Sequence, residues 1–335
     1  MCQLSVIICT HNPRPEYLGL VLDALRRQTF SLEQWELLLV DNASTKTLSE
    51  GWDVSWHPKG RHLREDELGL TPARIRGIAE AKSELLVFVD DDNVLSPTYL
   101  ENALQIAKDW PILGAWGGTI TGEFEIEPEP WARSFVALLA IREFTEPVWS
   151  NNPDDTRAQP CGAGMCVRAS VAREYSSRVA AQPARRKLGR TGQSLFSGED
   201  SDLVQTTCDL ELGVGNFPQL VLKHLIPHNR VQLDYLIRLV QGITVSGIML
   251  RYYKHGVLPN KPNAVVVWVR AGLVLLKQGR HYALIYKASQ DATKMGIRAV
   301  QREKSHGAVG DRPTMSLHKR RSRSVEAESK SESIT

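Results

Sequence analysis

Leu85-Leu86-Val87-Phe88-Val89-Asp90-Asp91-Asp92-Asn93 is the stretch on which the fold turns. An apolar run with no polar break suits a strand covered on both faces, as in a parallel sheet. It stops abruptly on three carboxylates. Two earlier runs have the same form. Ser5–Cys9 leads into Thr10-His11-Asn12, and Leu37–Val40 leads into Asp41-Asn42. Helical periodicity fills the gaps: Tyr17–Gln28 places Leu18, Val21, Leu22 and Leu25 on one face. Thr71-Pro72 and Ser96-Pro97 read as helix starts, with an N-cap hydroxyl and proline at the first helical position. Alternating strands and helices predict an α/β fold, a mostly parallel, open, twisted sheet flanked by helices. Ligands of such sheets bind beyond the carboxyl ends of the strands. Here three of those ends carry polar side chains able to hold a ligand.

The rest of the chain sets the limits. Its 335 residues suffice for a catalytic domain with an appendage. A net charge of +3, with 42% hydrophobic and 24% charged residues, gives no nucleic-acid signal. Five cysteines without a C-x-x-C pair read as reduced thiols of a cytoplasmic protein. Leu4–Cys9 is short and lacks the basic lead of a secretory signal. Ala264–Leu276 is apolar but is broken by Arg270. It falls short of the ~20 residues a membrane span needs, so any expected membrane contact is peripheral, at the inner face.

Residues 121–160 read as extended and turn-rich, and residues 161–167 as small and Gly-rich. Residues 168–196 are basic, with Glu174 as their one apparent counter-charge, and 230–256 and 262–290 read as helices. The predicted organisation is one α/β domain over 1–230, in two halves (1–120 and 121–230). A helical extension (231–300) and a disordered tail (301–335) follow.

Clustered carboxylates repel one another unless a cation sits among them. Hard oxygen ligands favour Mg²⁺ or Mn²⁺, which commonly share coordination with phosphates. In extended backbone Asp90 and Asp92 point to the same side, whereas a solvated turn would equally accept this composition. Arg74, in the first turn of a helix, is placed to meet a diphosphate or to sit in solvent. Asp200, within Gly198-Glu199-Asp200, is either a general base or a helix cap. His224 could complete a metal site begun by carboxylates, and His228 competes with it. The basic loop, Arg185, Arg186 and Lys187 included, could attract an anionic acceptor.

These segments together resemble family 2 glycosyltransferases. Leu4–Asn12, Leu38–Ser44, Gly69–Gly77, Leu86–Asp92, Gly162–Met165 and Gly198–Asp200 match the family's blocks in order and spacing, over roughly residues 3–230. The resemblance implies a GT-A fold and an inverting transferase that moves a sugar from a nucleotide-diphosphate sugar, usually UDP-linked, to an acceptor hydroxyl. The acceptor would be a glycan or a lipid-linked molecule in cell-surface polysaccharide or glycoconjugate synthesis. Cys9, His11, Asp41, Arg74, Asp90 and Asp91 would contact the donor nucleotide. Asp90, Asp92 and His224 would hold Mn²⁺ or Mg²⁺. Asp200 would be the base, with Gly162, Ala163, Gly164 and Glu199 on the acceptor side. No Gln-x-x-Arg-Trp block follows Asp200, which points to addition of single residues. A sugar nucleotidyltransferase would need a Gly-rich loop where Thr10-His11-Asn12-Pro13-Arg14 stands. A non-catalytic sugar-nucleotide binder would have lost a carboxylate, and none is missing.

Overall fold

The protein is described by a computed structural model covering residues 2–305. In chain order the elements are β1 (Leu4–Thr10), α1 (Pro15–Arg26), β2 (Trp35–Asn42), α2 (Leu48–Gly51), β3 (Gly60–Glu65), α3 (Leu70–Glu80), β4 (Leu85–Asp90), β5 (Asn93–Leu95) and α4 (Tyr99–Asp109). They continue as β6 (Leu113–Phe124), β7 (Val148–Ser150), β8 (Cys166–Arg168), α5 (Ala169–Ala181), α6 (Glu199–Asp209), β9 (Gly213–Ile226), α7 (Leu233–His255), α8 (Ala264–Gln278) and α9 (Arg280–Ser305).

The three apolar runs are β1, β2 and β4. β1 and β2 are buried throughout. Their alternate side chains feed two cores. Val6, Ile8, Leu37 and Leu39 pack on α1 and α4; Ile7, Leu38, Val40 and Phe88 face α3, α5 and α6. Burial on both faces explains why these strands read as unbroken apolar runs.

The sheet order is β3-β2-β1-β4-β8-β6-β9-β5, with β7 on β9. Only its first half matches the expected parallel sheet: β1 pairs in parallel with β2 and β4, and β2 with β3. β8 runs antiparallel to both β4 and β6, and β9 pairs in parallel with β6 but antiparallel with β5 and β7. The fold is thus a mixed α/β sheet flanked by helices, parallel from β1 to β4. β3 (Gly-Arg-His-Leu-Arg-Glu) is a half-exposed edge strand whose polar residues gave no apolar run to recognise.

Helix starts differ in detail. α3 is capped by Gly69 rather than Thr71. Gly69 has φ +148°, a conformation that favours glycine, and a Cβ there would lie 3.0 Å from Thr191 Oγ1. The predicted helix 262–290 is two helices, broken at Gly279 (φ +96°). α9 continues to Ser305, past the start of the predicted tail. Residues 306–335, with the rest of that tail, lie outside the described residues. All five cysteines are free.

The helical extension does not stand apart. Buried Val245, Met249 and Tyr252 of α7 pack on Leu188, and a Cβ on Gly242 would meet the Leu195 carbonyl at 2.1 Å. α7 is long and apolar enough to cross a membrane, yet its buried side chains serve this packing.

Candidate active site

One cleft of about 580 Å³ opens at the carboxyl ends of β1, β2 and β4. Cys9, Thr10 and His11 enter it from β1, Asn42 from β2, and Asp90, Asp91 and Asp92 from the end of β4. Glu199 and Asp200 come from the first turn of α6, and His224 from β9. Parallel packing of buried strands places the first group, and the long β9 delivers the last.

The three consecutive aspartates do not converge. The backbone turns at Asp91-Asp92 instead of staying extended, so each carboxylate takes a different partner. Asp90 Oδ1 faces Arg74 Nη2 at 3.6 Å. Asp91 accepts a hydrogen bond from the Thr10 hydroxyl. Burial, and then the Asp92 charge beside it, push its carboxyl up to about 7. Asp92 Oδ2 faces Arg230 Nη1 at 2.8 Å and His224 Nε2 at 3.5 Å. The antiparallel pairing of Asn93 with His224 fixes that meeting, and the Leu225 N–H donating to the Asp92 carbonyl reinforces it. Asp90 therefore does not join Asp92 and His224. Among the described residues no three His, Cys, Asp or Glu side chains form a metal cage.

Asp92 and His224 nevertheless suit a cation. His224 Nδ1 donates to the Leu139 carbonyl at 2.8 Å, and Nε2 accepts from Arg230 at 3.0 Å. An arginine only donates and a carbonyl only accepts, so Nε2 carries the lone pair. A backbone carbonyl orienting the far ring nitrogen is the usual support of a metal-binding histidine. Mg²⁺-type ions need only one or two protein ligands when phosphates supply the rest. His228 lies apart, with its Nε2 on Gln232.

Arg74 is buried rather than solvated. Its guanidinium lies 3.5 Å from Glu199 and 3.6 Å from Asp90, over the Phe88 ring. A Cβ on Gly162 would fall 2.5 Å from its Nη2, so glycine there admits the arginine. Arg74 thus joins the aspartate run to the α6 acids. Burial, then the neighbouring Asp200 charge, raise the Glu199 carboxyl to about 7.

Asp200 is not a helix cap. Gly198 occupies the cap position of α6, and no side chain caps it. Asp200 Oδ2 accepts from the Gly162 N–H at 3.3 Å, and Oδ1 from the Ser201 N–H at 2.8 Å. Gly162 and Ala163 line the cleft with it. Gly164 faces away. Its carbonyl accepts from the Tyr99 hydroxyl at 2.7 Å, and φ +71° together with tight packing requires glycine.

Asp41, expected at the base, is occupied elsewhere: it accepts from the N–H groups of Ser44 and Leu48 and pairs with Arg64 at 2.7 Å. Asn42 is the β2 residue that lines the cleft. His11 Nδ1 lies 2.7 Å from the Asn42 carbonyl. Burial pushes the Cys9 thiol up to about 12, so it stays protonated.

The basic loop is more paired than its sequence implied. Arg185 bonds buried Asp202, Arg186 pairs with Glu67, and Arg178 with Glu174 and Asp209. Glu174 is local, but Asp202, Glu67 and Asp209 are distant acids that local sequence cannot show. Arg190, rather than Arg185, Arg186 or Lys187, reaches the cleft. Arg190 belongs to the basic stretch read from the sequence, whereas nothing there singled out Arg230, or Tyr235 of α7, which line the cleft as well.

Comparison with known proteins accords with this geometry. The profile of "Glycosyl transferase family 2" matches residues 5–174, half of the chain. The chain belongs to this family. A putative glycosyltransferase, EpsH of Bacillus subtilis, is 26% identical over 109 residues, covering 32% of this chain and 30% of the relative. Validoxylamine A glucosyltransferase of Streptomyces hygroscopicus is 35% identical over 107 residues, 30% of this chain and 24% of that enzyme. The family 2 chain thus matches less than a third of the length of either relative. Its fold is similar to that of a mannosyltransferase from Pyrobaculum calidifontis solved with GDP-Man and Mn²⁺. The TM-score is 0.50 at 17% identity, over 92% of this chain and 81% of the other.

Proposed function

We propose that this protein transfers a sugar, with inversion, from a nucleotide-diphosphate sugar to an acceptor hydroxyl, using a divalent cation seated at Asp92 and His224. The observation that carries it is the single cleft joining the strand ends Cys9–His11, Asn42 and Asp90–Asp92 to Asp200 and His224. The nucleotide lies against the β1 and β2 ends, where Cys9, His11 and Asn42 line the cleft. The diphosphate lies toward Asp92, Arg190 and Arg230. A cation there supplies positive charge where the leaving diphosphate becomes more negative. Asp92 Oδ2 and His224 Nε2 would hold the ion, and Arg230, which bonds both residues here, would then turn its guanidinium to phosphate oxygens. Asp200 lines the same cleft, held by the Gly162 and Ser201 N–H groups. It takes the proton of the attacking acceptor hydroxyl, and one displacement inverts the anomeric carbon.

Screening nucleotide sugars for release of the nucleotide, with and without Mn²⁺ or Mg²⁺, tests this directly. Turnover of at least one donor is expected, and it should stop in chelator. Full turnover in chelator would remove the cation from the proposal. His224→Ala should weaken Mn²⁺ binding, read by calorimetry with nucleotide diphosphate present, by about tenfold or more. A Mn²⁺ titration superimposable on that of wild type would show that His224 is not a ligand.

A further inference from the structure

We propose that α8 is a docking helix that lies in the surface of an anionic lipid bilayer. Ala271 is its one buried residue, with Val267 and Val274 turned half-inward beside it, while Val265, Val266, Val269, Leu273 and Leu275 are exposed. Trp268 is 71% exposed and Leu276 84%. At helical spacing these side chains form one apolar arc covering about half the circumference. An arc of this kind on a water-facing helix needs an occupant.

The charges around it say which. Between Asp234 and Asp291 the sequence has no acidic residue and eight lysines and arginines. Arg270 and Lys277 border one side of the arc. On the other, Lys287 of α9 sits 4.6 Å over the Trp268 ring. An apolar face with a tryptophan and basic residues at both borders is the make-up of a helix lying at a membrane interface. A second copy of the chain fits less well. A two-fold contact would set the same face against itself, with like charges opposed and no acids to meet them. Crossing the bilayer is excluded by length: fifteen residues rise about 22 Å, short of the ~30 Å hydrocarbon core.

The position of α8 adds a consequence for the cleft. Just after Gly279, His281 stacks on Trp131 at 4.3 Å and the Tyr282 hydroxyl bonds Ser134 at 2.7 Å. These anchor α9 to the 3-10 turn Ala132–Leu139, whose last residues line the cleft. Docking of α8 would hold that rim close to the lipid surface.

Co-sedimentation of the full chain with vesicles tests the proposal without reference to catalysis. Binding is expected to vesicles in which about a third of the lipid is phosphatidylglycerol, and to fall at high salt; pure phosphatidylcholine should bind far less. Val269→Glu with Leu276→Glu should weaken binding by about tenfold or more. Arg270→Glu with Lys277→Glu should weaken binding to the anionic vesicles alone. Both pairs are solvent-facing, and unchanged thermal melting will show that the variants fold. The proposal is overturned if the wild-type chain stays in the supernatant, or if both variants sediment as it does. It is equally overturned if the glutamates merely dissolve a dimer in ultracentrifugation without affecting lipid binding.

Discussion

Asp200→Asn is expected to lower turnover by about 10²–10⁴-fold while nucleotide-sugar affinity stays at the wild-type level. Asparagine keeps the shape of the side chain and one oxygen to accept from the Gly162 or Ser201 N–H. It loses the negative charge, one of the two acceptor oxygens and, with them, the capacity to take a proton. A cap would survive this change, because asparagine caps a helix about as well as aspartate. The structure already assigns the α6 cap to Gly198, and the Asp200 carboxylate instead reaches back to the Gly162 loop. Turnover at saturating donor, paired with calorimetric donor binding, separates the two roles. A variant within tenfold of wild type would end the assignment. Glu199 is the neighbouring carboxylate with a claim to the same role. It is buried against Arg74, however, and so is poorly placed to reach an acceptor.

How far the sequence revealed the site depended on distance along the chain. β1, β2 and β4 were legible because burial on both faces leaves continuous apolar runs, and their ends located the cleft. Asp90 and Asp92 were misjudged as a pair because the turn at Asp91-Asp92 is invisible in composition, and a turn sends neighbouring side chains in different directions. Arg230 meets Asp92 only because β5 pairs with β9, a contact that no local pattern encodes. Arg185 and Arg186 looked free because their acids come from α6 and the loop after β3. α7 read as an appendage, yet Tyr235 and Ile243 line the cleft. An apolar helix carries no label for the surface it will cover.

Arg74→Met is expected to cost about 3–5 kcal/mol of folding stability, because it strips buried Glu199, and half-buried Asp90 beside it, of their cation. The methionine stem can retain much of the contact with Phe88, so lost charge rather than lost volume should dominate. The deficit should depend on pH, and its sign follows from Glu199. Its carboxyl is raised in the folded state, from 4.5 to about 7, first by burial, then by Asp200, with Arg74 opposing. A raised acid binds more protons folded than unfolded across that window, so its contribution to stability falls as pH rises from about 4.5 toward 7. Removing Arg74 lifts the folded value further and prolongs the fall. Urea midpoints should therefore show a larger deficit at pH 8 than at pH 5, where Glu199 is protonated in the folded protein with or without Arg74. Adding Glu199→Gln to Arg74→Met should recover part of the loss at pH 8 and little at pH 5, since the amide removes the charge that the arginine had balanced. Equal deficits at both pH values, with no recovery in the double variant, would mean that Arg74 stabilises the fold by packing alone.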